Sequence, residues 1–273
     1  AELRTAAEKV KASGAAKTGI ALDVTPFAVE QWYAKAGATI VDHENGRKGR
    51  ATKATLDTPV GRGIFELLGS LVKDGLASNV GKNPTYADQL LAIGKGDASI
   101  AVQTPAALGT IYAVQAAGQF TDTKVGVAPI PGDDKGPNIA GGGALWIVGK
   151  GKSPAEIAAA WDFTRYLNEP AQQATWHVGT GYVPIRKAAV ADPKVQAFWA
   201  AKPTFRVAYD SLVNSPKSDL AGPVIGPYKE VRAALTAALE RMFTQGQDPD
   251  AALAQAQKEA TEAIASYNER VGD

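Results

Sequence analysis

Apolar residues recur every three to four positions over long stretches of this chain and bunch into short runs between them, the pattern of helices alternating with buried strands. Residues 2–12 read as a helix stopped at Gly14, and GIALDV (19–24) reads as a short buried strand. Thr25, Pro26 and Phe27 then lead into a second helix. ATIVDHENGRKGRAT (38–52) reads as two short strands about a turn at Glu44, Asn45 and Gly46, with His43 in that hairpin. The next helix is well marked: Thr58 caps it, Pro59 takes its first position, Ile64, Leu67, Leu68 and Leu71 share a face, and Gly75 stops it.

Residues 85–93 form a short helix, and Ala98–Val102 a buried strand ending at Thr104 and Pro105. VGVAPIPG (125–132) ends a further strand in a proline- and glycine-rich crossing between lobes. Gly141, Gly142 and Gly143 precede a strand over Ala144–Val148; ordered glycines in a row are costly, so their place there favours close backbone access to something. Ser153, Pro154 and Glu156 have capping-box spacing and open a helix in which Trp161 and Phe163 read as core. Two long helical patterns follow, 227–243 and 249–269, with Val231, Leu235, Leu239 and Met242 on one face and Asp248–Pro249 starting the second. Helices alternating with short apolar strands imply an α/β architecture with a parallel sheet.

Composition narrows the function classes. The 273 residues suffice for one large or two ordinary domains, and 45% hydrophobic with 21% charged content is that of a globular chain. Twenty-nine basic against 28 acidic residues leave +1, with no long basic run interleaved with aromatics, so nucleic acid is not an expected partner. Cysteine is absent, which excludes disulfides, thiol catalysis and cysteine-bound metals. No apolar run reaches the roughly 18 residues of a membrane span. The opening AELRTAAEKVKASG is a polar–apolar helical pattern and not an export signal.

Chemistry is sparse. His43 and His177 lie far apart and read as structural or solvent-exposed, with no triad partner in evidence. GKGD and GKGKS do not match a phosphate loop, GGGALW lacks the spacing of a dinucleotide turn, and Asp133–Asp134 read as a solvated turn. No cofactor or metal is expected. Phe27, Tyr182 and Tyr228 are loop or helix-start aromatics, and such rings offer flat faces to a sugar or small polyol.

In their order, ATIVDHENGRKGRAT, TPVGRGIFELLGSLVKDGL, YADQLLAIGKGDASIAVQTP, KVGVAPIPG and GGGALWIVGKGKSPAEIAAAWDFTRYLNEPAQQATWHVGTGYVPIRKAA span nearly the whole chain. This set resembles the family 1 extracellular solute-binding proteins of ABC importers, the maltose-binding and glycerol-3-phosphate-binding type. The resemblance implies a type II periplasmic-binding-protein-like fold of two lobes closing on a ligand in the cleft between them, here N-terminally truncated. Residues 1–137 would be the first part of the second lobe, 138–204 the return segment of the first, and 205–273 the second lobe again. With the first lobe's opening segment missing, the strand Ala144–Val148 would need a complementing N-terminal chain or a domain-swapped partner. The other implied partners are ABC permease membrane subunits. The implied location of the full-length protein is the periplasm or, membrane-anchored, the cell exterior.

Carried over residue by residue, the resemblance places Thr25, Pro26 and Phe27 where sugar-binding relatives have a polar residue, a proline and a stacking aromatic. Thr104 ends a cleft-lining strand, Gly141, Gly142 and Gly143 form a ligand-facing rim, Gly181 and Tyr182 border the pocket, and Tyr228 forms a side wall. Asp23 and Asp219 join Thr25 and Thr104 as hydrogen-bonding candidates. DLAGPVIGP has Ala221 where the glycerol-phosphate branch carries an arginine, which favours a neutral carbohydrate or polyol, with a glycerophosphodiester held by backbone groups as the alternative. Two rival readings are a carbohydrate-processing enzyme with Asp23 and Asp219 as acid and base, and a non-binding structural or interaction fragment.

Overall fold

The computed structural model describes residues 2–82, 87–139, 145, 147–216 and 221–272. In chain order these form α1 (Glu2–Ser13), β1 (Thr18–Leu22), α2 (Phe27–Lys35), α3 (Pro59–Lys73), β2 (Ala77–Asn79), α4 (Ala87–Gly94), β3 (Ala98–Ala101) and α5 (Ala106–Ala116). There follow α6 (Pro154–Leu167), α7 (Pro170–Thr180), α8 (Lys187–Val190), α9 (Pro193–Ala201), α10 (Arg206–Asn214), α11 (Tyr228–Gln245) and α12 (Pro249–Val271). The chain divides into two compact units: unit 1 is Ala1–Gln103, Ile130–Ile139 and Ser215–Asp273, and unit 2 is Thr104–Pro129 and Ala140–Asn214.

In unit 1, β1 lies between β2 and β3 and pairs in parallel with both, Ile20 facing Ala77 on one side and Ile100 on the other. A central parallel strand has both faces covered, and β1 is accordingly buried from Gly19 to Leu22. The core around it takes Trp32 and Tyr33 from α2, Phe65, Leu68 and Leu71 from α3, Val231, Leu235 and Leu239 from α11, and Leu253 and Ile264 from α12. Thr58 caps α3 by accepting the Gly61 N–H at 3.2 Å, and the Asp248 carboxylate caps α12 by accepting the Ala251 N–H at 3.0 Å. Unit 2 has a smaller core of Leu108, Ala174, Val195, Trp199 and Phe205, from α5, α7, α9 and the turn after it.

Several sequence expectations need correction. The segment 38–52 forms no strand pair beyond one isolated antiparallel bridge, Val41 to Ala54. The Asn45 side chain takes up the N–H groups of Ile40 and Val41 that a hairpin ladder would have used, and His43, Glu44 and Asn45 turn left-handed. VGVAPIPG is not a strand either, because Pro129 and Pro131 remove ladder donors; Val125 and Val127 pack on the unit 2 core, while the Pro131 carbonyl accepts the Trp32 indole N–H at 3.0 Å. Of the strand expected over Ala144–Val148, Leu145, Ile147 and Val148 are described; none is in a strand, and all are exposed. The helix expected over 85–93 is described from Ala87.

Trp161 and Phe163 are not core: they are 55% and 59% exposed, and no residue of α6 is buried. The unit 2 core is closed by α5, α7 and α9, which leaves α6 with none of it to cover. Thr104–Pro129 and the stretch Phe205–Asn214, which the resemblance places with the second lobe, belong to unit 2, since Leu108 and Tyr112 pack with Trp199 and Phe205.

Candidate functional site

Sequence singled out Asp23, Thr25 and Phe27 at the end of β1. The chain leaves the strand at Leu22, and Val24 donates its N–H to the Gly81 carbonyl at 3.1 Å, fixing the turn that presents its neighbours. Thr25 donates its hydroxyl to Asp23 Oδ1 at 2.9 Å and its N–H to the same oxygen at 3.4 Å. Burial pushes the Asp23 carboxyl above its usual 3.8, against the pull of those two bonds. Asp23, Thr25 and Phe27 line one cavity with Trp32, Gln89 and Phe243, of about 20 Å3. A water needs roughly 10–15 Å3 of such space, so this hollow suits a water and not a sugar.

A larger, open depression of about 450 Å3 lies beside Pro26 on the same unit, lined by Lys82, Lys229, Arg232, Thr236 and Glu240 among others. Its volume falls in the range of small-molecule sites. Lys82 pairs with Glu240 at 2.8 Å. Arg232 forms a two-pronged pair with Glu30, both contacts 2.7 Å, and Glu30 is only 5% exposed. The Arg232 guanidinium also lies 5.2 Å from the Tyr228 ring centre, so Tyr228 reaches the depression through Arg232. Burial, and next the charge of Glu30, push the Tyr228 phenol well above its ordinary 10. Tyr228 is therefore neutral, a flat face with a fixed hydroxyl.

The depression residues Lys229, Arg232, Thr236 and Glu240 were missed in the sequence. Their signal was present: Lys229, Arg232, Thr236 and Glu240 recur at helical spacing on α11, flanking the apolar face of Val231, Leu235 and Leu239.

In unit 2 the structure brings Thr104–Pro105 together with Gly181–Tyr182. Gly181 ends α7 in the left-handed region at φ 82°, and a Cβ there would come within 2.9 Å of the Pro105 carbonyl oxygen and 2.8 Å of the Phe205 ring. Only glycine fits both the backbone and the space. The Tyr182 carbonyl is held by His177 Nδ1 at 2.7 Å, while His177 Nε2 accepts the Trp199 indole N–H at 2.7 Å. His177, 1% exposed, thus has the structural role expected of it, and it fixes the backbone of a candidate segment. Gly141, Gly142, Gly143 and Asp219 lie outside the described residues. Among the described residues no group of three or more metal-binding side chains comes together, and no helix is long and apolar enough to cross a membrane.

Comparison with known proteins adds to this geometry. The family model described as "Bacterial extracellular solute-binding protein" matches residues 1–204. The sn-glycerol-3-phosphate-binding periplasmic protein UgpB of Agrobacterium fabrum is 28% identical over 257 residues, covering 92% of this chain and 56% of that protein. UgpB of Rhizobium meliloti is 28% identical over 270 residues, covering 97% of this chain and 60% of that protein. The chain thus spans 56% to 60% of the length of these relatives.

Among solved structures, the sugar-binding protein MalE of Xanthomonas citri superposes with a TM-score of 0.73 at 19% identity, covering 97% of this chain and 64% of that one. UgpB of Mycobacterium tuberculosis in complex with glycerophosphocholine gives 0.70 at 20% identity, covering 98% and 62%. An ABC transporter solute-binding protein of Agrobacterium radiobacter K84 in complex with ribitol gives 0.68 at 19%, covering 96% and 63%. These likenesses show the fold to be the periplasmic-binding-protein-like α/β fold that the resemblance implied.

Proposed function

We propose, from the premise that this chain belongs to the bacterial extracellular solute-binding protein family, that it binds a small carbohydrate, polyol or glycerophosphodiester for delivery to ABC permease membrane subunits. The observation that carries this reading is the arrangement about Pro26. Asp23, Thr25 and Phe27 are its chain neighbours and line a water-sized hollow, and Pro26 itself lines the open depression with Lys229 and Arg232, whose guanidinium lies by the neutral Tyr228 ring. Rings with hydrogen-bonding groups and, among the described residues, no assembled nucleophile suit binding without turnover. A solute-binding role and not an enzyme is therefore proposed. Asp23 is bonded to Thr25, which suits a positioned acceptor.

The structure changes the balance among ligand classes. The loop at Ala221 has no arginine of its own, which favoured neutral ligands. Lys229 supplies positive charge beside Pro26, while the Arg232 charge is matched by Glu30, so a phosphodiester has one counter-ion besides backbone groups. A relative is named for glycerol 3-phosphate, and two structural neighbours were solved in complex with glycerophosphocholine and ribitol.

In the same reading unit 1 corresponds to the second lobe and unit 2 to part of the first, Gly141, Gly142, Gly143 and Asp219 remain ligand contacts, and the full-length protein works in the periplasm or membrane-anchored outside the cell. The exposed Leu145, Val148, Trp161 and Phe163 form apolar surface of the kind that another polypeptide covers, a complementing N-terminal segment or a swapped copy.

Calorimetric titration of the full-length protein with maltose, ribitol, glycerol 3-phosphate and glycerophosphocholine tests the proposal. One saturable exotherm is expected, with the bound compound recovered unchanged. Silence for all four rejects these ligand classes, and conversion of the compound restores the enzyme reading with Asp23 and Asp219.

A further inference from the structure

His43, Glu44, Asn45 and Gly46 hold positive φ values of 51°, 53°, 56° and 80° in succession. Left-handed backbone is unfavourable for residues with a Cβ and persists where the surroundings over-determine it. A two-residue hairpin turn reverses a chain with two such residues; this segment uses four. What holds it inward is Asn45, which is 1% exposed and whose side-chain oxygen accepts the N–H groups of Ile40 at 2.8 Å and Val41 at 3.2 Å. At the other end the Asp42 carboxylate accepts the Thr52 N–H at 2.8 Å.

The turn's other contacts converge on one short stretch. The Asn45 carbonyl accepts the Val224 N–H at 2.8 Å. Gly46 lies so close that a Cβ would come 2.5 Å from the Val224 carbonyl oxygen. Arg47 donates to the carbonyls of Gly222 at 2.7 Å and Ala221 at 3.1 Å. All of these fall on Ala221–Ile225, which passes through Gly226 and Pro227 directly into α11, the helix that carries Tyr228 and Arg232. The stretch has no helix or strand of its own, so its backbone groups find partners in the turn.

We propose that Asp42–Arg47 is a positioning clamp: it fixes the backbone of Ala221–Ile225 and so the start of α11, with Asn45 and Arg47 as the positioning residues for Tyr228. The clamp stands on the contacts above, while its bearing on affinity rests on the binding role proposed for Tyr228. It also accounts for the chain's use of left-handed residues with side chains, since a right-handed turn would aim the Asn45 carbonyl and the Arg47 fork elsewhere.

The test uses the full-length protein with Arg47→Ala, Arg47→Lys and Gly46→Ala. Amide hydrogen exchange is followed over residues 221–228 and, as a control, over α3, together with the affinity for maltose, ribitol, glycerol 3-phosphate and glycerophosphocholine. Arg47→Ala is expected to speed exchange over 221–228 by about tenfold while leaving α3 unchanged, and to weaken whichever probe binds the parent by about threefold or more. Arg47→Lys, with a single donor group, falls between. Exchange unchanged over 221–228, or accelerated equally over α3, overturns the clamp, whether or not any probe binds. Locally faster exchange with unaltered affinity for a bound probe overturns the positioning of Tyr228. Absence of binding by the parent refutes the functional reading alone, and exchange still decides the clamp. Arg47 is exposed, so its variants carry the test if Gly46→Ala does not fold.

Discussion

Replacing His177 with leucine is expected to destabilise the protein by about 3 kcal/mol, because two buried partners lose their bonds at once. The Trp199 indole can only donate, so His177 Nε2 accepts from it, and the ring's single proton sits on Nδ1 and is donated to the Tyr182 carbonyl. The bond from Trp199 requires a neutral ring, because a protonated imidazole has no lone pair at Nε2 to accept it. Burial pushes the imidazole below its ordinary 6.5, although the Tyr182 carbonyl pulls the other way. The unfolded chain takes up a proton near 6.5 where the folded one does not. Stability is therefore level above that pH and declines as the pH falls from 6.5 toward the lower folded-state value. Denaturant unfolding at several pH values, followed by circular dichroism, should show this slope in the parent and its loss in His177→Leu. An equal slope in the variant would contradict the assignment.

The second large effect is expected at Arg232. Arg232→Ala leaves Glu30 buried without its counter-charge, and removing one partner of such a pair costs about 3 kcal/mol or more. Glu30→Gln in the same background should recover most of the loss, giving a coupling of about 1 kcal/mol or more in the double-mutant cycle. Arg232→Lys should restore only part, since a lysine cannot reproduce the two-pronged contact. A loss well under about 1 kcal/mol for Arg232→Ala would show that Glu30 finds water or another partner.

The elements of unit 1 that obey local rules were readable. Pro59–Lys73 begins at its cap, carries its apolar stripe and stops near Gly75, and the helix starting at Pro249 follows the same logic. Ser153 and Glu156 form the expected capping box. What was not readable depended on distant residues. Ala77–Asn79 is too short and polar to show a strand period, and it is a strand because β1 lies beside it. The turn at Asn45 looked like a hairpin because, beside the local bonds of the Asn45 side chain, it is held by Val224 and, through Arg47, by Ala221 and Gly222.

Trp161 and Phe163 stand two positions apart, on opposite sides of their helix, so no 3.6-residue period supports reading both as core, and both are exposed. The candidate site divides in the same way. Asp23, Thr25 and Phe27 are adjacent in sequence and meet in one cavity wall. Pro105, the neighbour of Thr104, and Gly181 are far apart in sequence and meet only through the fold. Lys82 and Arg232 share a depression across a long stretch of chain that no local spacing links.

The central claim is that a small molecule is held by the surface about Pro26. The most direct measurement is calorimetric titration of the full-length protein and of Phe27→Ala and Tyr228→Ala with glycerophosphocholine, ribitol and maltose, with thermal unfolding confirming that each variant is folded. The account predicts saturable binding of one compound to the parent, weakened by about tenfold or more in each folded variant as an aromatic face is removed. Binding of equal strength in the parent and both variants would contradict it.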